Sequence, residues 1–329
     1  MSSSNLGSVS GAVRSVHVYI NMSNYTFTLS NGTQAKTCKP AMGYAFAGGT
    51  TDGPGAFDFK QGTTSGNPFW DVVKGAVTPQ PSAEQAACHA PKPILLNTGE
   101  ATFPYDWQPK IVNVQMFRVG QLVMLLVPGE FTTMAGRRIR EAIKAKLVAQ
   151  NIIGNDATVV IAGPANTYGH YITTREEYGV QRYEGGSTIY GPNTLDAYID
   201  IYSNLVTYLS DSSTTTPSPG TPPPDLTGNP LSLRTGVVMD NAPIGSKFGK
   251  VLAQPSGSYT KGSQASVRFQ GATPRNNLRL EQTFLTVERK DGNNWVVYRT
   301  DSHPSTKYNW KRTNELLGYS EVTITWDIE

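Results

Sequence analysis

Residues that can bind a metal or move a proton follow two apolar runs in the middle of the chain. Glu130 follows the run Val123-Met-Leu-Leu-Val127, which ends in Pro-Gly, and His170 and Tyr171 follow the run Val159-Val-Ile-Ala162. A carboxylate, an imidazole and a phenol brought together would form a metal-binding or acid/base cluster. This chemistry requires a fold that places the ends of the two runs side by side.

The pattern between the two runs predicts such a fold. Runs of β-branched residues and leucine that stop at Pro-Gly are typical of buried parallel strands. Thr132 or Thr133 can cap a helix, and the apolar positions from Met134 to Leu147 fall at helical spacing between basic residues. Strand–helix–strand crossovers are parallel and right-handed. Both runs would therefore end at one edge of the sheet, where open α/β sheets carry their sites.

A purely structural interpretation of the same residues is also open. Glu130 would then sit in the first turn of the helix, where the helix dipole favours a carboxylate. The tyrosines that follow the second run would simply pack against the core.

Three longer stretches resemble the neutral ceramidase family. They are Pro128-Gly-Glu-Phe-Thr-Thr-Met-Ala-Gly-Arg-Arg138, Asn166-Thr-Tyr-Gly-His-Tyr-Ile-Thr-Thr174 with Glu177-Tyr178, and Gln181-Arg-Tyr-Glu184. The resemblance covers nearly the whole chain. It implies a zinc-dependent hydrolase that cleaves the amide of N-acylsphingosine into sphingosine and a fatty acid.

The resemblance also implies roles for single residues. Glu130 and Tyr171 would be zinc ligands, and Tyr183 would donate a hydrogen bond to the substrate carbonyl or the tetrahedral intermediate. His170 would act at most through its neighbour Tyr171. Zinc would polarise the carbonyl and lower the pKa of a bound water to about 7.

Part of the family's site is missing from this sequence. The family takes two zinc histidines and an active-site serine from a region upstream of this chain. The four histidines present, His17, His89, His170 and His303, lie in no motif that would replace them. Catalytic zinc usually has three protein ligands. The chain alone is therefore expected to be inactive and to need the upstream half of the same enzyme.

A second function class fits the same sequence. The chain would be a truncated, catalytically inactive paralogue that acts as a scaffold, binding lipid or protein through the retained half of the pocket and the β-rich C-terminal piece. A self-sufficient esterase is not expected, because the sequence has no Gly-x-Ser-x-Gly nucleophile elbow.

Composition bounds the class of partner. Hydrophobic residues are 38% and charged residues 16% of 329 residues, which is enough to bury a core. The net charge of +3 and the lack of a basic run with interleaved aromatics argue against nucleic acid. The resemblance implies ceramide, presented at a membrane or micelle surface, as the partner. No apolar stretch reaches the ~18 residues of a membrane-spanning helix.

Signals for localisation point in two directions. The N-terminus lacks the charged and apolar regions of a signal peptide, whereas Asn21, Asn24 and Asn31 open three neighbouring glycosylation sequons, which are typical of secreted loops. Cys38 and Cys88 are compatible with one disulfide or with two buried thiols. The resemblance implies a bridge, and secretion or the extracellular face of the plasma membrane. A fragment or a truncated product would reconcile these signals.

The long loop over residues 35–75 carries many glycines and aromatics. It is either a packed loop or an aromatic lining for an apolar substrate pocket.

A second helix is predicted over about residues 193–209, with Asn193 as its cap. Residues 1–210 would thus form a mixed α/β sheet with crossover helices, the C-terminal part of the family's catalytic domain.

The rest of the chain is predicted to be a linker and an all-β domain. Residues 211–224 are rich in proline, serine and threonine, a composition that predicts a stiff linker. Alternating apolar residues predict four strands in residues 225–329, at 265–270, 283–289, 295–298 and 321–327. Their spacing and the resemblance favour an immunoglobulin-like sandwich, with a last strand expected beyond Glu329.

Overall fold

The computed structural model describes residues 7–229, 236–279 and 282–329. The chain divides into two compact units, Met1–Asp225 and Leu226–Glu329. No helix in the described ranges is long and apolar enough to cross a membrane.

The first unit contains short and long strands and seven helices among its described residues. The strands are β1 (Val13–Asn21), β2 (Thr26–Thr28), β3 (Gln34–Lys36), β4 (Met42–Gly43), β5 (Ile94–Leu96), β6 (Ile111–Val119), β7 (Leu122–Leu126), β8 (Glu130–Phe131), β9 (Thr158–Ala162) and β10 (Tyr171–Ile172). The helices are α1 (Tyr44–Ala47), α2 (Pro68–Val77), α3 (Ala83–His89), α4 (Thr133–Ala149), α5 (Arg175–Val180), α6 (Tyr183–Gly186) and α7 (Thr194–Leu205).

The central sheet has the order β1-β6-β7-β9. The pairs β1–β6 and β6–β7 are antiparallel, whereas β7 and β9 are parallel, with Leu122 opposite Thr158. The helix α4 connects the two parallel strands. The predicted mixed sheet and its strand–helix–strand unit are therefore confirmed.

Helix α4 forms because its apolar stripe lies against the sheet. Ile139, Ile143 and Leu147, spaced by four residues, are fully buried, and each such burial contributes about 1.5–3 kcal/mol. Thr132 caps the helix, because its hydroxyl accepts a hydrogen bond from the Ala135 amide at 3.3 Å.

Helix α7 covers the same core, as the sequence predicted, and a 3₁₀ turn (Val206–Leu209) continues it. Its stripe includes Tyr198 and Tyr202, both fully buried. The Asn193 side chain does not cap the helix as expected, because its amide donates to the Lys36 carbonyl at 2.8 Å instead.

A disulfide joins Cys38 to Cys88. It ties the segment after β3 to helix α3 and so closes the loop that carries the aromatic residues. The bridge implied by the family resemblance is present, and neither cysteine is free.

Residues of the predicted linker lie along β1. The Tyr19 amide donates to the Pro219 carbonyl at 2.7 Å, and the Arg14 guanidinium donates to the Asp211 carbonyl. At least these parts of the linker are fixed to the first unit.

Among the described residues of the second unit, the regular secondary structure consists of β-strands and one 3₁₀ turn (Pro274–Asn276). Its strands are β11 (Val251–Ala253), β12 (Gln264–Gly271), β13 (Thr286–Asp291), β14 (Asn294–Thr300), β15 (Thr306–Asn314) and β16 (Tyr319–Asp327). The order β11-β12-β16-β15 forms one antiparallel sheet, and β13 and β14 form a separate hairpin. All four predicted strands are present, whereas β11 and β15 were not predicted. The immunoglobulin-like arrangement stays a prediction.

Removing the bridge should destabilise the first unit. The double substitution Cys38→Ser, Cys88→Ser releases a loop with a sequence separation of 50 residues. The chain-entropy estimate for such a loop is about 4 kcal/mol of unfolding free energy. Urea unfolding of both proteins without reductant measures the difference. Added dithiothreitol should destabilise the original chain and leave the double variant unchanged; equal stabilities throughout would contradict the prediction.

Candidate active site

The candidate site is built on a two-residue parallel ladder beyond the ends of β7 and β9. In this ladder, β8 pairs with β10 so that Glu130 lies directly opposite Tyr171. The Glu130 amide donates to the His170 carbonyl at 2.8 Å, and the Thr132 amide donates to the Ile172 carbonyl at 3.1 Å. The two segments that the sequence predicted to meet are thus held together by backbone hydrogen bonds.

Close approach of the two segments depends on a glycine. A Cβ atom added to Gly129 would lie 2.5 Å from the His170 carbonyl oxygen, which is within the repulsive range. Only glycine therefore lets the turn after β7 reach the His170 segment.

The Glu130 carboxylate accepts hydrogen bonds from phenols. The Tyr168 hydroxyl donates to its Oε1 at 2.5 Å. Burial, the hydrogen bond with Glu130 and the carboxylate charge raise the pKa of Tyr171 to about 12. Tyr168 was not predicted as a site residue, although it lies inside the stretch that resembles the family.

Tyr183 joins this group from the first residue of α6. Its ring lies 5.6 Å from that of Tyr171, edge to face, and stacks at 5.4 Å on Phe46. Burial, and then the charge of Glu130, raise the pKa of Tyr183. Its phenol therefore remains protonated, and a hydrogen-bond donor, at neutral pH.

His170 lies next to the carboxylate but is occupied by other partners. Its Nε2 lies 3.0 Å from the Gln108 side-chain amide, and its Nδ1 lies 3.2 Å from the Ser187 hydroxyl. Burial lowers the pKa of His170, so the ring is neutral at neutral pH. Both ring nitrogens already have hydrogen-bond partners. The His170 side chain therefore fixes the position of the backbone that leads into Tyr171.

A capping box holds the far side of the site. The Glu177 carboxylate accepts from the Thr174 amide at 2.8 Å and from the Thr132 hydroxyl at 2.6 Å. One carboxylate thereby connects the first turns of α4 and α5. The cap was not predicted, although the spacing Thr174-x-x-Glu177 is a sequence signal for it.

A buried lysine, which the sequence did not reveal, lies beneath the site. The Lys92 ammonium donates to the Thr188 carbonyl at 2.6 Å and to the Ala41 carbonyl at 3.1 Å. It also lies 5.1 Å from the ring centre of Tyr178. Burial lowers the pKa of Lys92. Its hydrogen bonds connect Ala41, just before α1, to Thr188, just after α6. Helix α1 carries Phe46.

Two cavities flank the ladder. One, of about 470 Å³, is lined by Phe131, Tyr171, Val180, Arg182 and Glu184, among others. The other, of about 540 Å³, shares Phe131 as a lining residue. It is lined by residues that include Glu130, Arg140, Val160, Ile161 and Gly163.

The residues present fit zinc in part. Glu130 and Tyr171 place a carboxylate and a phenol at adjacent positions; carboxylate oxygen is an established zinc ligand in proteins, whereas phenol oxygen is an uncommon one. Within residues 7–229, 236–279 and 282–329, no three His, Cys, Asp or Glu side chains converge as a metal site. The zinc roles of Glu130 and Tyr171 stay predictions.

The three sequons lie at the start of the unit. Asn21, Asn24 and Asn31 are all exposed. The Asn21 side chain accepts from the Ser23 amide at 2.9 Å, and the Asn31 side chain accepts from the Thr33 amide at 3.0 Å. Glycosylation of these residues stays a prediction.

Family models match the chain from end to end. The model for neutral/alkaline non-lysosomal ceramidase, N-terminal, matches residues 1–200, and the corresponding C-terminal model matches residues 202–329. The boundary between the two matches lies inside α7, whereas the compact units separate after Asp225.

Relatives and solved structures agree with these models. The neutral ceramidase of Drosophila melanogaster is 46% identical over 326 residues, which are 97% of this chain and 46% of the relative. That of Oryza sativa subsp. japonica is 46% identical over 97% of this chain and 41% of the relative. The crystal structure of neutral ceramidase from Pseudomonas aeruginosa matches 97% of this chain and 48% of its own, with a TM-score of 0.70 and 37% identity.

These matches place the chain among ceramidases, a class of hydrolases. The chain belongs to the neutral/alkaline non-lysosomal ceramidase family, as its motifs predicted. It spans a little less than half the length of the relatives it matches.

Acidification should destabilise the first unit through His89. Burial, and then the charge of Lys92, lower the pKa of His89 from 6.5 to about 3. The unfolded imidazole takes up a proton below its ordinary pKa and the folded one does not. This contribution to stability is therefore complete above that pKa and is lost as the pH falls toward about 3. Between about pH 7 and about pH 5 the loss is about 2 kcal/mol.

Urea unfolding of the chain at both pH values measures this loss. The variant His89→Gln keeps an amide donor for the Lys39 carbonyl, which the His89 ring contacts at 2.8 Å, but cannot titrate. Its stability should therefore fall by about 2 kcal/mol less over the same interval. An identical pH dependence in the two proteins would refute the assignment.

Proposed function

We propose that this chain supplies part of a zinc-dependent site that hydrolyses the amide of N-acylsphingosine to sphingosine and a fatty acid. The observation that carries the proposal is the register of the β8–β10 ladder, which sets Glu130 opposite Tyr171, with the Tyr183 ring beside Tyr171. Two histidines and the active-site serine would come from the upstream half of the enzyme. The chain alone would then be inactive.

The roles of the side chains follow from their surroundings. Zinc, when bound by Glu130 and Tyr171 with the upstream histidines, would polarise the amide carbonyl and lower the pKa of a bound water to about 7. Tyr168 orients the Glu130 carboxylate through its hydrogen bond. Tyr183, protonated at neutral pH, donates a hydrogen bond to the carbonyl oxygen as charge develops on it.

The substrate's apolar chains need an apolar lining. The cavity of about 470 Å³ beside Tyr171 contributes only Phe131 and Val180 as purely apolar side chains, among threonines and charged residues, and Phe46 covers the Tyr183 ring. Phe46 belongs to the aromatic loop, so at least one residue of that loop would contact substrate.

The remaining assignments follow the family. We propose that residues 1–210 belong to the catalytic domain, that residues 211–224 link it to the next domain, and that residues 225–329 form an immunoglobulin-like domain. A secreted protein, or one on the extracellular face of the plasma membrane, would agree with the Cys38–Cys88 bridge.

Hydrolysis of a fluorescent ceramide tests the proposal directly. The purified chain, residues 1–329, is assayed with and without added zinc, alone and joined to the upstream half. Turnover is expected only from the joined protein. Turnover by the chain alone with zinc would mean that it holds a complete site of different residues. A joined, folded protein that binds ceramide without cleaving it would favour the scaffold.

Removing the Tyr183 hydroxyl should slow the joined enzyme. Tyr183→Phe keeps the ring and its stacking on Phe46 but loses the donor, so kcat should fall by about 10²–10³ while KM changes little. The matched control is Tyr208→Phe in the 3₁₀ turn after α7, for which wild-type rates are expected. A Tyr183→Phe enzyme with unchanged kcat would exclude this role.

Zinc content tests the ligand assignment separately from turnover. Glu130→Gln removes the carboxylate charge, so the joined protein should retain much less zinc after dialysis than the wild type. Glu141→Gln, on the exposed side of α4, makes the same chemical change away from the site and should retain it. Equal zinc content in the two variants would show that Glu130 is not a ligand.

A further inference from the structure

The central sheet ends on one side at β9, and no other strand among the described residues pairs with that edge. The Thr158 amide donates to the Gln121 carbonyl at 2.9 Å, and the Ala162 carbonyl accepts from the Val127 amide at 3.1 Å. In a parallel strand, the backbone N–H and C=O groups of one residue point to one neighbouring strand, and those of the next residue point to the opposite side. The backbone groups of Val159 and Ile161 therefore face away from β7, where the described ranges place no further strand.

The opposite edge of the sheet is different. Part of β1 is covered by the linker, through the hydrogen bond from the Tyr19 amide to the Pro219 carbonyl. A Cβ atom on Gly220 would overlap the Tyr19 carbonyl, so the linker lies directly against this strand. The described part of the chain thus covers one edge of the sheet and leaves the other open.

Within β9 itself, the edge lacks charge, proline and a bulge, which commonly protect an exposed strand. Its sequence, Thr158-Val-Val-Ile-Ala162, has no charge and no proline, and its pairing with β7 has no bulge. Natural edge strands that face solvent usually carry lysine, proline or a bulge, which prevent unwanted pairing. Parallel sheets normally have both faces covered, so their strands are near-continuous apolar runs. The composition of β9 is that of an interior strand.

A groove runs from this edge to the candidate site. The cavity of about 540 Å³ is lined by Val160 and Ile161 of β9, by Gly163 just beyond it, and by Glu130 and Arg140. A chain segment that lies along β9 would therefore pass next to the Glu130 carboxylate.

We propose that the β9 edge binds a strand from the half of the ceramidase chain that relatives carry outside the matched region. The Drosophila melanogaster relative is matched over only 46% of its length, so more than half of that chain is available as the occupant. The strand pairs in parallel with β9. Its C-terminal end then lies beside Glu130, at the edge where parallel sheets carry their sites. This last point rests on the proposed function, because it brings the missing ligands to Glu130.

Amide-resolved hydrogen exchange tests the docking without an activity readout. The full chain is measured alone and mixed with the unmatched half of the Drosophila melanogaster relative. Exchange at the Val159 and Ile161 amides should slow by about tenfold or more in the mixture. The Val160 amide, which faces β7, is the control within the same strand and should change much less.

Three results of this experiment would overturn the proposal. One is a complex in which the Val159 and Ile161 amides exchange as they do in the chain alone. Another is the absence of any complex between the two halves. Protection that rises with the concentration of the chain alone would also overturn it, since the occupant would then be a second copy.

A charge on the edge provides an independent test. Val160→Lys places a cation in the groove and should weaken binding of the other half by about tenfold. Val119→Lys makes the same change at an exposed position of β6 and should leave binding unchanged. Equal binding of the two variants would count against the β9 edge. Because neither measurement uses hydrolysis, strand docking without ceramide turnover would refute the proposed function alone.

Discussion

The backbone pairing of β8 with β10 is the constraint on which the candidate site depends. It consists of very few hydrogen bonds, among them those from the Glu130 amide to the His170 carbonyl and from the Thr132 amide to the Ile172 carbonyl. Both strands are extensions of larger elements, because β7 and β9 carry the two segments to the same edge of the sheet. The small ladder is therefore positioned by the packing of the whole sheet and of α4, and it sets a carboxylate opposite a phenol.

Buried polar groups fix the layer beneath this ladder. Lys92 donates to two carbonyls from separate segments, and the His89 ring contacts the Lys39 carbonyl. Buried polar groups of this kind are expensive to leave unpaired, so their partners must keep a fixed geometry. The disulfide at Cys88 lies one residue from His89. Rigid support of this sort suits a site whose phenols and carboxylate need fixed distances.

The family and much of the first unit could be predicted from the sequence. Long stretches around Glu130, Tyr171 and Tyr183 carried the resemblance, and the family models and relatives agree with it. The strand–helix–strand unit followed from local periodicity, because burial of one helix face repeats every three to four residues. The strand β15 was missed, because it has no aliphatic residues and its exposed positions, which alternate with less exposed ones, carry lysine, asparagine and threonine.

The sequence by itself determined which elements form and which residues resemble a known site, because these depend on local spacing and on side-chain type. Only the tertiary structure decided the partners of each group. Tyr168 bonds to Glu130 across 38 positions of the chain, and Lys92 reaches Thr188 across 96. No local pattern encodes such contacts, because they arise when the sheet and its helices pack. For the same reason, only the strand order revealed that β9 lies at an open edge.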